Sequence, residues 1–186
     1  PVDILIKSTF FEIPIFKFIA KIIDKLFKVS LNEIEIGFKT FFKIKKLKGF
    51  DIVQLVNENS FKTTPILEVK LIKIIKNNNK NIFLLSCGTD FKSIQYALNK
   101  NFRYSILTPY FNNKKLKNSY RHILKYNNKH FKNLHEYIYK NIKGVISSDL
   151  DYHIPLKEEI KYLGMIPNPI NLSKIKYNKL KIDGEI

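Results

Sequence analysis

Three short apolar runs punctuate the chain: Asp51-Ile-Val-Gln-Leu-Val-Asn57, Asn81-Ile-Phe-Leu-Leu-Ser-Cys87 and Gly144-Val-Ile-Ser-Ser148. Each ends in small or polar residues, and stretches of helical periodicity lie between them. Runs of this length, rich in Ile and Val without strict alternation, predict strands buried on both faces, and the spacers predict crossover helices. The expected product is an α/β domain built on a parallel sheet. In open parallel sheets the ligand crevice lies beyond the carboxyl ends of the strands. The polar residues that follow each run are therefore the candidate site: Asn57, Glu58 and Asn59; Gly88, Thr89 and Asp90; and Ser147 and Ser148 with nearby Tyr152.

A chain of 186 residues, 45% hydrophobic, can bury one sizeable core. The net charge of +17 would ordinarily point to nucleic acid, a membrane surface or acidic substrates. Arg103 and Arg121 are the only arginines, and the abundance of Lys, Ile and Asn resembles the bias of an AT-rich genome. Lysine lacks the planar fork that reads bases and phosphates, so the excess is read as a solvated basic surface. Cys87 is the single cysteine, which excludes an internal disulfide framework and fits a reducing, cytoplasmic setting. The longest apolar stretch, Phe10 to Phe27, is broken by Glu12, Lys17, Lys21, Asp24 and Lys25 and is not expected to span a bilayer. The chain opens at Pro1 and holds one methionine, Met165; it is read as an internal fragment of a longer product.

Val2 to Ile6 is expected to form a strand. The stretch Phe10 to Phe27 is expected to form an amphipathic helix, aromatic and broad on one face and bearing Lys17, Lys21, Lys25 and Lys28 on the other. Burial against a sheet or partner explains that pattern, and so does a membrane interface. A second Lys-rich helix is predicted over Leu31 to Leu47, stopped by Gly49. Thr64-Pro65 opens a helix to about Lys76, and Thr89 or Asp90 caps another over Phe91 to Leu98. Asn101 to Asn118 is expected to be irregular, and Tyr120 to Asn141 helical. A last apolar run, Tyr162 to Ile166, leads into Pro167-Asn-Pro-Ile-Asn171.

The segment Ile166-Pro-Asn-Pro-Ile-Asn171 resembles the Ile-Pro-Asn-Pro-Val/Ile-Asp/Asn signature of GT-B glycosyltransferases, in particular the retaining, sugar-nucleotide-dependent enzymes of bacterial polysaccharide assembly. Asp51 to Asn57, Leu84-Leu-Ser-Cys-Gly-Thr-Asp90 and Val145-Ile-Ser-Ser148 resemble other parts of the N-terminal domain of that family, in the same order. The resemblance implies a Rossmann-like acceptor-side domain over residues 1–172, its first strand missing, and a linker over 173–186 toward a donor-binding domain that the sequence does not contain. It implies glycosyl transfer from a nucleotide-sugar to a glycan or lipid-linked acceptor in cell-envelope polysaccharide assembly, with the isolated fragment expected to be inactive. The nucleotide-sugar enters as substrate. No cofactor is expected, no nucleic acid, and no metal, since no ligand spacing for one is present.

Within this reading Asp90 is the expected catalytic carboxylate, orienting or partly deprotonating the acceptor hydroxyl. Asn57, Glu58, Asn59, Gly88, Thr89, Ser147, Ser148 and Tyr152 are the expected acceptor-binding residues. Helix capping explains Thr89 and Asp90 as well, and loop capping explains Asn57 to Asn59. Cys87 stands where relatives place a polar or imidazole group and is read as a buried inert thiol. His122, His130 and His135 are read as solvated or partly packed. Basic surface and amphipathic helix together imply a cytoplasmic protein, peripheral at the inner membrane face. Two other functions stay open: a basic nucleic-acid-binding α/β module, for which the aromatic rings interleaved with Lys in Asn112 to Asn141 speak, and a non-catalytic remnant.

Overall fold

The structure, a computed structural model, describes residues 6–27, 30–169, 171 and 173. Four strands form one sheet in the order β1-β2-β3-β4, every neighbouring pair parallel: β1 Ile52–Val56, β2 Asn81–Ser86, β3 Gly144–Ser147 and β4 Tyr162–Met165. Helices α1 Pro14–Phe27 and α2 Leu31–Ile44 precede the sheet. α3 Pro65–Asn78 joins β1 to β2, and α4 Phe91–Leu98, α5 Thr108–Asn112, α6 Arg121–Leu124 and α7 Lys129–Asn141 join β2 to β3. α8 Leu150–Leu156 joins β3 to β4. The expected strand at Val2 to Ile6 and the expected linker over 173–186 fall almost wholly outside the described residues.

Each crossover steps to the next strand in the same direction, and right-handed crossovers of that kind place all their helices on one face of the sheet. The main core lies on that face. Leu55, Ile82, Leu84 and Val145 of the strands pack there against Ile44 of α2, Leu71, Ile72 and Ile75 of α3, and Phe131, Leu134 and Ile138 of α7. Burying a side chain of this size contributes roughly 1.5–3 kcal/mol. A smaller cluster of Ile94, Ala97, Leu107 and Ile123 ties α4 to the segment beyond it.

The opposite face corrects the expectation of strands buried on both sides. Ile52 is 65% exposed, Val56 55% and Leu163 61%, while Phe83, Leu85 and Ile146 of the inner strands are half-buried and join neither core cluster. Among the described residues nothing covers this side. Leu163 does fill the place of the missing Gly144 side chain, since a Cβ on Gly144 would stand 2.4 Å from Leu163 Cδ1.

Two further expectations are revised. The helix expected from Tyr120 to Asn141 breaks at Asn128, whose side chain accepts from the backbone N–H groups of His130 and Phe131 and so starts α7 afresh. Periodicity alone runs through that cap because the apolar spacing on either side stays in phase. Helix α8 has no counterpart among the expected elements: it is seven residues long, opens at Asp149, whose side chain accepts from Asp151 N, and carries Pro155 in its last turn. The stretch Asn101 to Asn118 contains the short helix α5 with Pro109 in its first turn and a 3-10 turn over Lys114–Lys117.

Candidate functional site

The loops after β1, β2 and β3 meet on one rim because the strands run parallel and in register. Asn57 N donates to Leu85 O at 2.9 Å, and Ser148 N to Ser86 O at 3.2 Å, so the pairing of β2 with both neighbours continues into the loops. Side chains then cross between them. Asn57 Nδ2 donates to Thr89 O at 3.2 Å. Asn57 is left-handed, with φ 69°, and Gly88 has φ 78°; a Cβ on Gly88 would lie 2.9 Å from Asn57 Nδ2. The close approach of these two loops therefore requires glycine at 88.

The geometry of Asp90 is that of the cap. It is 2% exposed; Oδ1 accepts from Ser93 N at 2.7 Å and Oδ2 from Ser86 Oγ at 2.7 Å. Ser93 Oγ lies 3.4 Å from Asp90 N and completes a capping box. Both carboxylate oxygens are thus engaged by the protein. Glu58 also turns inward. It is 1% exposed, Oε1 lies 2.6 Å from His135 Nδ1, and Oε2 accepts from Phe91 N at 3.3 Å. Burial pushes the Glu58 carboxyl above its usual range, with the nearby Asp90 charge adding to the effect and His135 and Phe91 N opposing it. His135 itself is sandwiched between Phe91 and Tyr139, at ring-centroid distances of 5.1 and 4.1 Å. It is packed, and its role as partner to a buried carboxylate is not legible from its helical neighbours.

The serines at the end of β3 are buried as well. Ser147 Oγ lies 2.7 Å from Tyr162 OH, which His153 Nδ1 approaches at 2.7 Å, and Ser148 Oγ donates to Asp149 Oδ2 at 2.9 Å. What the rim offers to solvent is the half-buried Asn57, Asn59, Thr89 and Tyr152 and the exposed Gly88 and Asp149. Thr89 and Tyr152 also line a small hollow of about 80 Å³ with Ser93, Phe102, Ser105 and Asp151. Phe102, Ser105 and Asp151 are not among the residues expected from sequence. Asp151 carries a signal that could have found it, as a carboxylate a few residues beyond a strand end.

Electrostatically the rim is acidic in a basic chain. Burial raises the Tyr152 phenol well above its ordinary value, and Asp90, Asp149 and Asp151 add to it. The Cys87 thiol is raised too, by partial burial first and then by Asp149 and Asp90, so Cys87 is a poor nucleophile. Among the described residues, none that lines the hollow is basic. Groups of three or more His, Cys, Asp or Glu able to hold a metal ion are absent among the described residues.

The floor of the β1 loop is held by Glu68 in the first turn of α3. Its carboxyl, fully buried, accepts from Phe61 N at 2.7 Å, Thr63 Oγ1 at 2.6 Å and Thr63 N at 3.3 Å. Burial raises Glu68 to about 7 despite these three donors. Comparison of the chain with protein families, with curated proteins and with solved structures found no match.

Proposed function

We propose that the chain is the acceptor-side domain of a glycosyltransferase that moves a sugar from a nucleotide-sugar to a glycan or lipid-linked acceptor. The observation that carries the reading is the convergence of the loops after three parallel strands on one rim that presents amides, a hydroxyl and an aromatic ring. Asn57, Asn59 and Thr89 are suited to hydrogen-bond acceptor hydroxyls, Gly88 permits close approach of the backbone, and Tyr152 supplies a face for a sugar ring. In the transfer the bond from the donor's anomeric carbon to its phosphate oxygen breaks, the electron pair leaves with the nucleoside diphosphate, and the acceptor oxygen bonds to the anomeric carbon while its proton passes to a base. Asp90, buried and doubly engaged, is a positioning residue for the loop in this reading. The accessible carboxylate on the hollow beside Thr89 is that of Asp151. The donor is held outside the described residues.

The hollow, with Asp151 in its lining and no lysine there among the described residues, disfavours a phosphate backbone at this rim and does not repel a neutral sugar. The aromatic rings between Asn112 and Asn141 that suggested nucleic acid are buried or half-buried, with Lys125 lying over both Tyr126 and Phe131, so they offer no free stacking platform. Location at the cytoplasmic face of a membrane belongs to the same proposal. No helix among the described residues is long and apolar enough to cross a membrane.

The test uses the chain itself, since the acceptor surface lies within it. Titration with mono- and oligosaccharides, followed by amide chemical shifts, is expected to move Asn57, Gly88, Thr89 and Tyr152, and Thr89→Ala with Tyr152→Ala is expected to abolish the shifts. Saccharides that leave all four amides unmoved, or RNA oligomers that move them in a salt-dependent way, overturn the reading.

A further inference from the structure

Helix α1 has no buried side chain among those described, although its sequence is strongly amphipathic. Ile15, Phe18, Ile19, Ile22 and Leu26 recur at helical spacing as one stripe, and all are exposed, Ile15 by 72% and Phe18 by 66%. Helix α2 repeats the pattern. Gly37, Thr40 and Ile44 are its buried face, with Gly37 so close that a Cβ there would stand 2.6 Å from Leu67 Cδ1 of α3. Phe41 flanks that face, and Phe38 and Phe42 turn away from it, the last 70% exposed. Core packing, the simpler explanation of these apolar positions, accounts for one face of α2 and for none of the α1 stripe.

The two helices are fixed to each other. Glu35 of α2 accepts from Thr9 N, Phe10 N and Phe11 N at 3.0, 3.0 and 3.2 Å and from Ser8 Oγ at 2.5 Å, and Lys39 Nζ pairs with it at 2.5 Å. Burial alone would raise Glu35, but Lys39 and these donors outweigh it and hold its carboxyl well below the ordinary range. The turn entering α1 is thus pinned to α2, so that the stripes belong to one unit and not to a loose arm.

Basic groups accompany the apolar ones. Lys21 and Lys17, the latter paired with Glu12 at 2.7 Å, lie on α1, and Lys7, Lys39 and Lys43 line with Phe42 an open depression of about 520 Å³ that has no acidic residue in its lining among the described residues. We infer that the α1–α2 unit is a docking surface for a bilayer rich in anionic lipid, with Phe18 and Phe42 among the side chains that enter the acyl boundary and Lys7 and Lys43 meeting the phosphate headgroups. Aromatic and aliphatic side chains beside lysines, on helices too short and too charged to span, suit a position in the plane of the interface. Charge complementarity selects lipid over a second copy of a chain that itself carries +17. The inference deepens the membrane-face part of the proposed function and does not depend on the sugar chemistry, so saccharide binding can fail while this stands.

Co-sedimentation of the full chain with vesicles decides it. Vesicles of phosphatidylcholine with one-third phosphatidylglycerol are expected to retain the protein at least tenfold better than phosphatidylcholine alone, and raising the salt is expected to erase the difference. Phe18→Glu with Phe42→Glu, and separately Lys43→Glu, are each expected to lower retention, tenfold or more for the double variant, with unchanged far-ultraviolet circular dichroism and no change in saccharide shifts at the rim. Equal retention on both vesicle types, or variants that bind like the parent, overturns the inference. So does a concentration-dependent dimer that the double variant dissolves, because the surface then belongs to a second copy.

Discussion

Glu68→Gln is the sharpest probe of how the site loop is held. The carboxyl is fully buried, has three donors and no cationic partner among its hydrogen bonds, and is raised from 4.5 to about 7. A carboxyl whose folded value lies above its unfolded value binds more protons folded than unfolded, so its contribution to stability is fully present below about 4.5 and is lost as pH rises toward 7. Each tenfold change in that equilibrium is about 1.4 kcal/mol, which makes the loss on the order of 3 kcal/mol, complete a little above pH 7. Glutamine has the shape of the neutral acid and does not titrate. Urea unfolding of both proteins from about pH 4 to pH 8 is therefore expected to show wild type and variant similar at the acidic end, and the variant more stable by about 3 kcal/mol at the alkaline end. Because Glu58 and Glu33 are raised in the same direction, the difference between the two curves is the quantity to read, and not the slope of either. Curves that stay parallel, or a wild type that gains on the variant as pH rises, would mean that an unrecognised cation compensates the ionised carboxylate and that burial does not govern its titration.

Tyr139 OH is buried with no hydrogen-bond partner among the described residues, so Tyr139→Phe is expected to leave stability unchanged or raise it by about 1 kcal/mol in urea melts; a loss of that size would reveal an ordered water there. Asp90→Ala is expected to cost about 1–2 kcal/mol through loss of the α4 cap, and Asp90→Asn to recover most of it, because the amide keeps the acceptor toward Ser93 N. The open sheet face is tested by contrast: Val56→Lys is expected to cost no more than about 0.5 kcal/mol, whereas Leu84→Ala, 0% exposed on the covered face, is expected to cost roughly 2–5 kcal/mol in the same assay. A large penalty at Val56 would show that another layer packs on that face.

The parallel sheet, the places of β1 to β3, the helix opened by Pro65 and the helix Phe91–Leu98 were legible in sequence because each rests on local chemistry: short β-branched runs, a proline in a first turn, a capping residue, Thr89 or Asp90, before a helix; that Asp90 is the cap was settled by the structure. The rim was legible for the same reason, since parallel strands send their following loops to one end whatever the side chains are. Three things were not. Which rim residues face outward depends on how the strand ends twist and pair, and Glu58, Asp90 and Ser147, polar and well placed in sequence, all turn inward, Glu58 to His135 and Phe91 N, Asp90 to Ser86 and Ser93 N, and Ser147 to Tyr162. The Glu58–His135 pair joins residues 77 positions apart, a distance over which no local pattern carries information. The uncovered face was hidden because an Ile or Val in a strand looks alike whether a helix lies over it or not; only the one-way succession of crossovers places the helices between the strands on the same side. The chain thus declared its elements and the end of the sheet where a ligand would meet it, since those follow from backbone propensities and strand direction. Which side chains remain available there was decided by tertiary packing, because a buried polar group takes whatever partner the fold brings within hydrogen-bond reach.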